Sequence, residues 1–305
     1  MTRPVIRPAD AAAIAEAAEL ILAGQPIAVP TETVYGLAAD ATNAGAVARI
    51  YEAKGRPSFN PLIVHVANLA AAEQIGLFDD DARALANAHW PGPLTLVVAL
   101  REGSGIAALV TAGLSTIAVR VPAHPVMQAV LAATGKPLAA PSANASGKIS
   151  STRAEHVAAS LGDRVALILD AGPCERGIES TIVAFTGGPP RLLRRGPIDI
   201  VAVEKPQGIE APGQLTSHYS PSKPLRLDAT NAQANEFHIG LGPVAGHASL
   251  SATGNLVEAA ARLFDLLHQA DAAPEPRIAV APIVGAGGLA AAIRDRLTRA
   301  AAPRF

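Results

Sequence analysis

The sequence predicts an α/β protein with a mixed sheet and a second, smaller α/β unit towards its C-terminal end. The chain has 305 residues, of which 50% are hydrophobic and 17% are charged, so it can bury a sizeable core. Helical and strand periodicities alternate along most of its length, as they do in α/β proteins. At about 150 residues per domain, this length suggests about two domains.

The first predicted element is a helix that Asp10 caps, with apolar residues at helical spacing and Gly24 at its end. The strand at residues 27–29 follows. Predicted helices come next at residues 44–53, 79–88 and 126–133. The remaining predicted strands lie at residues 62–66, 94–100, 116–121, 137–140, 165–170, 181–185 and 191–193. The short spacing of the last two strands indicates antiparallel pairing, and therefore a mixed sheet.

A proline-rich stretch divides the chain. We interpret residues 1–202 as one domain and residues 203–224, which lack a helical or strand period, as an ordered linker. Residues 225–305 show two strands, a helix at 254–270, a strand at 278–281 and a helix at 289–301. This last unit is too small to hold much core by itself.

Charge and cysteine content narrow the class of protein. A net charge of -1 provides no general attraction for polyanions, so nucleotide binding needs a local basic cluster. Cys174 is the single cysteine, which fits a reducing cytosol. Glu16 and Glu19 interrupt the first apolar run, so we expect no secretory signal. Without a sufficiently long apolar run to cross a membrane, the chain is expected to be cytoplasmic and to have no membrane partner.

The segment KGRPSFNPLIVHV at residues 54–66 combines a basic loop with the start of a strand. Glycine and proline stiffen the loop that carries Lys54 and Arg56, and His65 falls in the strand. Arginine can hold two phosphate oxygens while lysine adds a point charge, so the loop suits a polyphosphate. The alternative is a solvated basic loop beside a core histidine.

The segment PTETVYGLAAD at residues 30–40 leaves a strand and turns through Gly36. This turn places the polar groups of Thr31, Glu32 and Thr33 at the carboxyl end of the strand, where α/β sheets bind their ligands. An ordinary turn with Tyr35 filling the core is the alternative.

A third polar segment, AAPSANASGKISST at residues 139–152, follows a short strand. Its small side chains leave backbone amides and hydroxyls open to a phosphate or a ribose. A Ser/Gly linker is the alternative, although its position between regular elements disfavours a long flexible insertion.

Two further segments place arginines in strands. Arg120 lies in a β-branched strand, where an unpaired guanidinium is costly, so it needs either a structural salt bridge or a bound carboxylate. In LLRRG, only one of Arg194 and Arg195 can face a given site because adjacent strand residues face opposite sides. GIESTIV places Ser180, with Glu179, at the entry of a strand.

A glycine pattern near the C-terminus imitates a dinucleotide fingerprint. Gly285, Gly287 and Ala290 follow an apolar strand and precede a helix, which satisfies G-x-G-x-x-A. The pattern lacks the acidic residue that binds the ribose about 20 residues later in such a fingerprint. We therefore interpret these residues as close packing of the helix against the strand.

These segments occur together, in an order and spacing that closely resemble the YrdC-domain family of threonylcarbamoyl-AMP synthases. The resemblance covers residues ~10–200, and six motifs in order are far more specific than any single one. HYSP at residues 218–221 and the small unit with GGLAAAIRDRLTRAA resemble the long, two-domain form.

The resemblance implies a twisted, mostly open sheet whose basic cleft condenses L-threonine, bicarbonate and ATP, with Mg2+ accompanying the triphosphate. The products would be threonylcarbamoyl-adenylate and pyrophosphate. A downstream tRNA threonylcarbamoyl transferase complex would use the adenylate to modify tRNA next to the anticodon, and direct binding of tRNA stays open. The C-terminal unit would be a Rossmann-like accessory domain, with the linker as a lid.

The resemblance also implies residue roles. L-threonine would contact Thr33, His65, Arg120, Ala140 and Ser180, with Tyr219 closing over it. ATP would contact Lys54, Arg56, Asn60, Thr116, Ser142, Ser150 and Arg194. Lys54, Arg56 and Arg194 would act catalytically by stabilising phosphate charge. Phe59 stands where many relatives carry a polar residue.

Two other functions fit the same residues. An RNA-binding module could use the basic cleft, although low net charge and 3% aromatic content disfavour it. A carbamoyl-transferring enzyme with another amine acceptor is the nearer rival. The leading hypothesis requires these side chains to converge on one hollow that accommodates a nucleotide and an amino acid.

Overall fold

The computed structural model describes residues 4–200, 202, 210–214 and 217–303. Its larger sheet joins eleven strands of these residues in the order β1-β9-β2-β3-β8-β4-β7-β6-β10-β11, with β5 paired to β6. The strands are β1 Val5–Pro8, β2 Ile27–Val29, β3 Gly36–Asp40, β4 Ile63–His65, β5 Gly76–Leu77, β6 Leu94–Leu100, β7 Thr116–Arg120, β8 Leu138–Ala139, β9 Leu167–Asp170, β10 Thr181–Phe185 and β11 Arg191–Arg194.

Helices cover this sheet, and local sequence signals set their ends. The Asp10 carboxylate accepts a hydrogen bond from the Ala13 amide at the start of α1. Gly55 and Gly135 adopt the left-handed conformation that ends α2 and α6. The helices are α1 Ala11–Leu22, α2 Ala44–Lys54, α3 Leu69–Glu73, α4 Asp80–His89, α5 Ala108–Thr111, α6 Pro125–Thr134 and α7 Ala154–Leu161, with a 3-10 turn at Gly162–Arg164.

The C-terminal unit contains a separate four-stranded sheet in the order β12-β15-β13-β14, and its paired strands are parallel. Parallel pairing needs crossovers, and two long helices follow its strands. The elements are β12 Leu225–Arg226, β13 Glu236–Gly240, β14 Ala248–Ser249, α8 Leu256–Ala272, β15 Arg277–Val280 and α9 Gly288–Ala301. The structure therefore confirms the α/β fold class, the mixed sheet and the smaller α/β unit.

The sequence analysis missed several short elements, among them β1, β3, α3, β5, α5 and α7, and three of these show why. Strand β1 is a mostly exposed edge strand, so it shows little alternation of polar and apolar residues. Strand β3, GLAAD, is buried at every position and consists mainly of small residues. Helix α7 has eight residues, and the Arg153 side chain forms no capping hydrogen bond at its start.

The two units share apolar packing. The core cluster of the C-terminal unit includes Val34, Ile149 and Ile178 from the first 200 residues. Close backbone contact adds to this interface, because a Cβ atom at Gly177 would lie only 2.3 Å from the Ala261 carbonyl oxygen of α8. The boundaries at residues 202 and 224 thus mark a change in sheet, while the core continues across them.

The linker is described only in part. Residues 203–209 and 215–216, which belong to the predicted ordered linker, lie outside the described residues. Its described part reaches the larger unit, since the Ser220 amide donates to the Gly147 carbonyl at 2.8 Å. Within the described ranges, no helix combines the length and apolar character needed to span a membrane.

We predict that Gly177→Ala destabilises the whole chain. Gly177 has a φ of +66°, so alanine there bears the left-handed cost of about 1–2 kcal/mol in addition to a clash with the backbone of α8. Gly113→Ala is the matched control, because Gly113 has a φ of +82° and open space around it. Urea denaturation should show a larger loss for Gly177→Ala, and equal losses would contradict the tight interface.

Candidate active site at the carboxyl ends of the central strands

The threonine turn after β2 forms one wall of a cavity. The Thr31 hydroxyl donates to the Val34 carbonyl at 2.7 Å and accepts from the Thr33 amide at 3.2 Å, which fixes the turn. Thr33 and Thr31 both line the cavity. Tyr35 is fully buried and donates to the Gly172 carbonyl at 2.8 Å. The turn therefore presents its threonines to the cavity while Tyr35 fills the core.

Arg120 ends β7 beside His65, the last residue of the parallel strand β4. Its guanidinium donates to Glu32 at 2.6 Å and to the Thr33 hydroxyl at 2.9 Å, so a structural salt bridge supplies the anionic partner that the sequence required. Burial opposes ionisation of Glu32, but the charge and hydrogen bond of Arg120 outweigh it and lower the pKa of that carboxyl.

His65 is neutral beside this ion pair. Burial, reinforced by the charge of Arg120, lowers the pKa of the imidazole to about 3. Its Nδ1 atom is buried and has no hydrogen-bond partner among the described residues. This nitrogen is therefore available to a ligand, as a hydrogen-bond acceptor in one tautomer of the ring and as an N–H donor in the other.

The end of α2 and the loop that follows it place Arg56 at the cavity and Lys54 behind the cavity wall. Lys54 donates to the carbonyls of Ser142 and Asn144, and burial lowers its pKa well below the usual value. Arg56 donates to the carbonyls of Asn60 at 3.0 Å and Pro61 at 2.8 Å, and burial lowers its pKa to about 10. Within the described part of the chain, neither cation forms a salt bridge.

Arg194 ends β11 and is the arginine of LLRRG that faces the cavity. It donates to the Ser180 carbonyl at 2.9 Å, to the Ser180 hydroxyl at 3.0 Å and to the Pro212 carbonyl at 3.3 Å. Burial lowers its pKa, and the Thr95 hydroxyl lies 2.7 Å from that of Ser180. This network holds the guanidinium in place.

The described part of the linker contributes one wall of the cavity, and we refer to residues 210–214 and 217–221 as the lid, the role that the sequence analysis predicted for them. Pro212, Gly213, His218 and Tyr219 line the cavity. A Cβ atom at Gly213 would lie 2.8 Å from the Tyr219 hydroxyl, so the two passes of the lid meet closely. Tyr219 has a φ of +62°, which only firm packing maintains in a residue other than glycine.

The cavity thus joins nine of the predicted site residues, but it is small. The space open to water-sized solvent is about 50 Å³, too little for a nucleotide together with an amino acid. The expectation of a hollow of that size is wrong for this closed arrangement. The nine residues are Thr33, Arg56, His65, Arg120, Ala140, Ser142, Ser180, Arg194 and Tyr219.

Four predicted site residues do not line the cavity. Lys54 lies behind the loop that contains Ser142, and the Asn60 carbonyl accepts from Arg56. Ser150 donates to Glu179. Thr116 starts β7, about 13 Å from Arg120 at the rise of an extended strand. Their contacts with ATP stay predictions.

A family model for the Sua5, YciO and YrdC proteins, described as telomere recombination, matches residues 19–196. The chain belongs to this family. A second model, described as the C-terminal domain of threonylcarbamoyl-AMP synthase, matches residues 178–302. The predicted family membership and long two-domain form are therefore confirmed.

Curated relatives and a solved structure resemble the chain closely. It is 45% identical to the threonylcarbamoyl-AMP synthase of Bacillus subtilis over 70% of this chain and 66% of that protein. The corresponding synthase of Pyrococcus abyssi is 42% identical over 68% of this chain and 65% of that protein. The chain therefore spans just under two thirds of these relatives. The structure of P. abyssi Sua5 complexed with L-threonine is 33% identical in sequence and matches with a TM-score of 0.87. This match covers 98% of this chain and 96% of that one.

The cavity residues that sequence reasoning left outside the predicted site include two buried titratable side chains, Glu179 and His218. Glu179 accepts hydrogen bonds from Ser150 and from Arg296 of α9, the latter at 2.8 Å. His218 has a buried, unpartnered Nδ1 atom, and burial lowers its pKa to about 3. The motifs GIESTIV and HYSP contained both residues, but only the fold shows that they face the same space.

Buried polar atoms without partners concentrate around the cavity. Within the described ranges, the atoms that have no hydrogen-bond partner include four around the cavity. Two belong to the lid, the Tyr219 hydroxyl and His218 Nδ1, and two lie near the strand ends, His65 Nδ1 and Glu32 Oε2. An unsatisfied buried polar atom costs about 1–3 kcal/mol. Such atoms are expected where a ligand completes the hydrogen bonding.

We predict that acidification destabilises the protein through its buried imidazoles. An unfolded histidine binds a proton near pH 6.5, whereas buried His65 does so only near pH 3. Between these values the unfolded state holds the extra proton, so stability falls as the pH falls.

The His65→Asn variant tests this sign. It should lose less stability than the unaltered protein between pH 7 and pH 5, by about 2 kcal/mol, because one titrating group has been removed. Urea denaturation at both pH values measures the difference. Parallel pH dependences in the two proteins would show that His65 is not held neutral.

Proposed function

We propose that the chain condenses L-threonine, bicarbonate and ATP into threonylcarbamoyl-adenylate and pyrophosphate. The observation that carries this proposal is the convergence of Arg120, Arg56 and Arg194 on one lidded cavity at the strand ends. The names of the relatives and the L-threonine complex of P. abyssi Sua5 support it. The adenylate would then pass to a separate tRNA threonylcarbamoyl transferase complex, in the cytoplasm.

The Arg120 side of the cavity suits the amino acid. We assign the threonine carboxylate to Arg120, whose guanidinium also binds the carboxylate of Glu32. We assign the remaining polar groups of threonine to Thr33, His65 and Ser180. The uncharged His65 ring adds no repulsion to a substrate ammonium group. Ala140 contributes backbone and little bulk to the same wall.

The opposite side suits the triphosphate. Arg56 and Arg194 face the cavity, and Lys54 holds the carbonyls of Ser142 and Asn144 from behind. We propose that the two arginines bind phosphate oxygens, while Lys54 fixes the loop at Ser142 and adds positive charge behind it. Asn60, Thr116 and Ser150 complete the proposed nucleotide contacts.

The proposed reaction needs positioning more than a covalent intermediate. The uncharged threonine amine forms a carbamate either by adding to CO2 with loss of a proton or by condensing with bicarbonate with loss of water. A carbamate oxygen then attacks the α-phosphorus, and the bond from that phosphorus to the bridging oxygen breaks as pyrophosphate leaves. Preorganised arginines stabilise the charge that develops on the phosphate oxygens. A carbamate decomposes readily in water, so closure of Tyr219 and the lid protects it. The small closed cavity requires this lid to open for substrate entry and product release.

Mg2+ is proposed to enter with ATP. Magnesium prefers oxygen ligands and commonly binds substrate phosphates with few protein carboxylates. The described residues contain no cluster of three histidine, cysteine or acidic side chains, and both oxygens of Glu179 already accept hydrogen bonds. The donor set therefore fits a metal carried mainly by phosphate oxygens, and we assign it no protein ligand.

We predict that pyrophosphate release requires L-threonine and bicarbonate together. Omission of either substrate should reduce the rate to background, since the carbamate cannot form, and EDTA should do so by removing Mg2+. A coupled pyrophosphate assay with serine and other amines in place of threonine separates this activity from transfer to another amine. ATP turnover that ignores threonine would refute the proposal, and salt-sensitive tRNA binding unaffected by ATP would favour an RNA-binding module.

We also predict that Arg56→Ala lowers kcat/KM for ATP, because it removes a charge-assisted phosphate contact. The decrease should correspond to a loss of more than about 1.5 kcal/mol of transition-state stabilisation. Arg262→Ala is the control, since Arg262 lies on α8 and pairs with Glu258 at 3.4 Å, away from the cavity. Steady-state kinetics of both variants measure the effect. Equal kinetics for the two would remove Arg56 from the nucleotide site.

A further inference from the structure

Helix α9 of the C-terminal unit sends a buried arginine to the cavity of the larger unit. Arg296 is 0% exposed, and its Nε donates to Glu179 at 2.8 Å. Its other nitrogens donate to Asp295 at 2.8 Å and to the Arg195 carbonyl at 2.9 Å. Glu179 lines the cavity and accepts from Ser150 through its second oxygen. The orientation of this carboxylate therefore depends on a residue from the other unit.

The same guanidinium supports the lid. The Arg296 Cζ atom lies 5.3 Å from the centroid of the Tyr219 ring, within cation–π range. The ring of Phe264, on α8, lies 5.4 Å away, and that of His218 packs edge-on at 4.1 Å. Tyr219 has an unfavourable positive φ, so these contacts are what keeps its hydroxyl at the cavity.

Helix α9 is itself fixed at three points along its length. At its start the Gly288 amide donates to the Asp199 carboxylate at 3.1 Å. In the middle Arg296 binds Glu179. Near its end the Arg299 carbonyl accepts from the His218 amide at 3.3 Å. The helix therefore contacts the larger unit and the lid at the same time, so it can position groups in both.

From this geometry we infer that Arg296 is a positioning residue of the active site, which the C-terminal unit supplies to hold Glu179 and Tyr219 in their closed arrangement. The inference rests on the proposed function. It gives the C-terminal unit a defined role: without Arg296, a buried carboxylate loses its cation and the lid tyrosine loses the charge beneath its ring.

The test compares Arg296→Met, Arg296→Lys and the control Arg262→Met in the full chain. Arg296→Met should lower kcat/KM for pyrophosphate release at least tenfold, or about 1.4 kcal/mol, because neither group keeps its partner. Arg296→Lys keeps the charge but not the three-way hydrogen bonding, so a loss of about two- to tenfold is expected. Arg262→Met should match the unaltered protein. Melting temperatures establish that the variants remain folded at the assay temperature.

A double variant separates positioning from a merely structural role. Arg296 acts through Tyr219, so adding Tyr219→Leu to Arg296→Met should leave kcat/KM within about threefold of the worse single variant. Multiplicative losses would overturn the inference, as would a folded Arg296→Met with unchanged kinetics. If Arg296→Met does not fold, Arg296→Lys decides, and kinetics within about twofold of the unaltered protein would overturn the inference.

The unaltered protein serves as the reference for the proposed function. If it releases no pyrophosphate in response to threonine and bicarbonate, the proposed function fails before any variant is compared. If it does, the Arg296 variants test the positioning role alone.

Discussion

Burial of positive charge governs the architecture of the cavity. Lys54, Arg56 and Arg194 are each removed from water, which costs several kcal/mol per ion unless polar partners compensate. Backbone carbonyls supply most of that compensation: those of Ser142 and Asn144 for Lys54, and of the following loop for Arg56. A carbonyl carries only a partial charge, so the positive charge of the two arginines persists. The loops around the cavity must keep these carbonyls turned inward, and an anion is the ligand that relieves the remaining repulsion.

Two buried carboxylates limit that repulsion at opposite sides. Glu32 is paired with Arg120, and Glu179 is paired with Arg296. Burial alone would raise the pKa of Glu179, but the charges of Arg296 and Arg194 outweigh it and lower the pKa, so the carboxylate stays ionised. Arg120 is thus paired with a carboxylate, whereas among the described salt bridges neither Arg56 nor Arg194 of the triphosphate side has one, although Glu179 lies near Arg194. This asymmetry separates a side suited to a single carboxylate from a side suited to several phosphates.

The sequence predicted most elements whose period or caps were strong, such as the helix after Asp10 and the strand that contains Arg120. It also predicted that one arginine of the Arg194–Arg195 pair would face the site, because alternation along a strand is a local property. Pairing across the chain was out of reach. Arg296 follows an ordinary amphipathic helical pattern, and nothing near it in sequence shows that its partner, Glu179, lies 117 residues away. For the same reason the sequence could not decide whether Arg120 pairs with a carboxylate of the chain or with a ligand, since its partner Glu32 is distant in sequence.

The glycine pattern before α9 shows why a motif needs its surroundings. Amides at a helix N-terminus attract anions, and in dinucleotide-binding domains this position receives a phosphate. Here the Asp199 carboxylate of the larger unit accepts from the Gly288 amide, and a Cβ atom at Gly288 would lie 2.5 Å from an Asp199 oxygen. An internal anion thus occupies the position that a phosphate would need. The C-terminal unit has a parallel sheet and two long helices, and the anion-binding end of its last helix docks that helix against the larger unit, which brings Arg296 to Glu179.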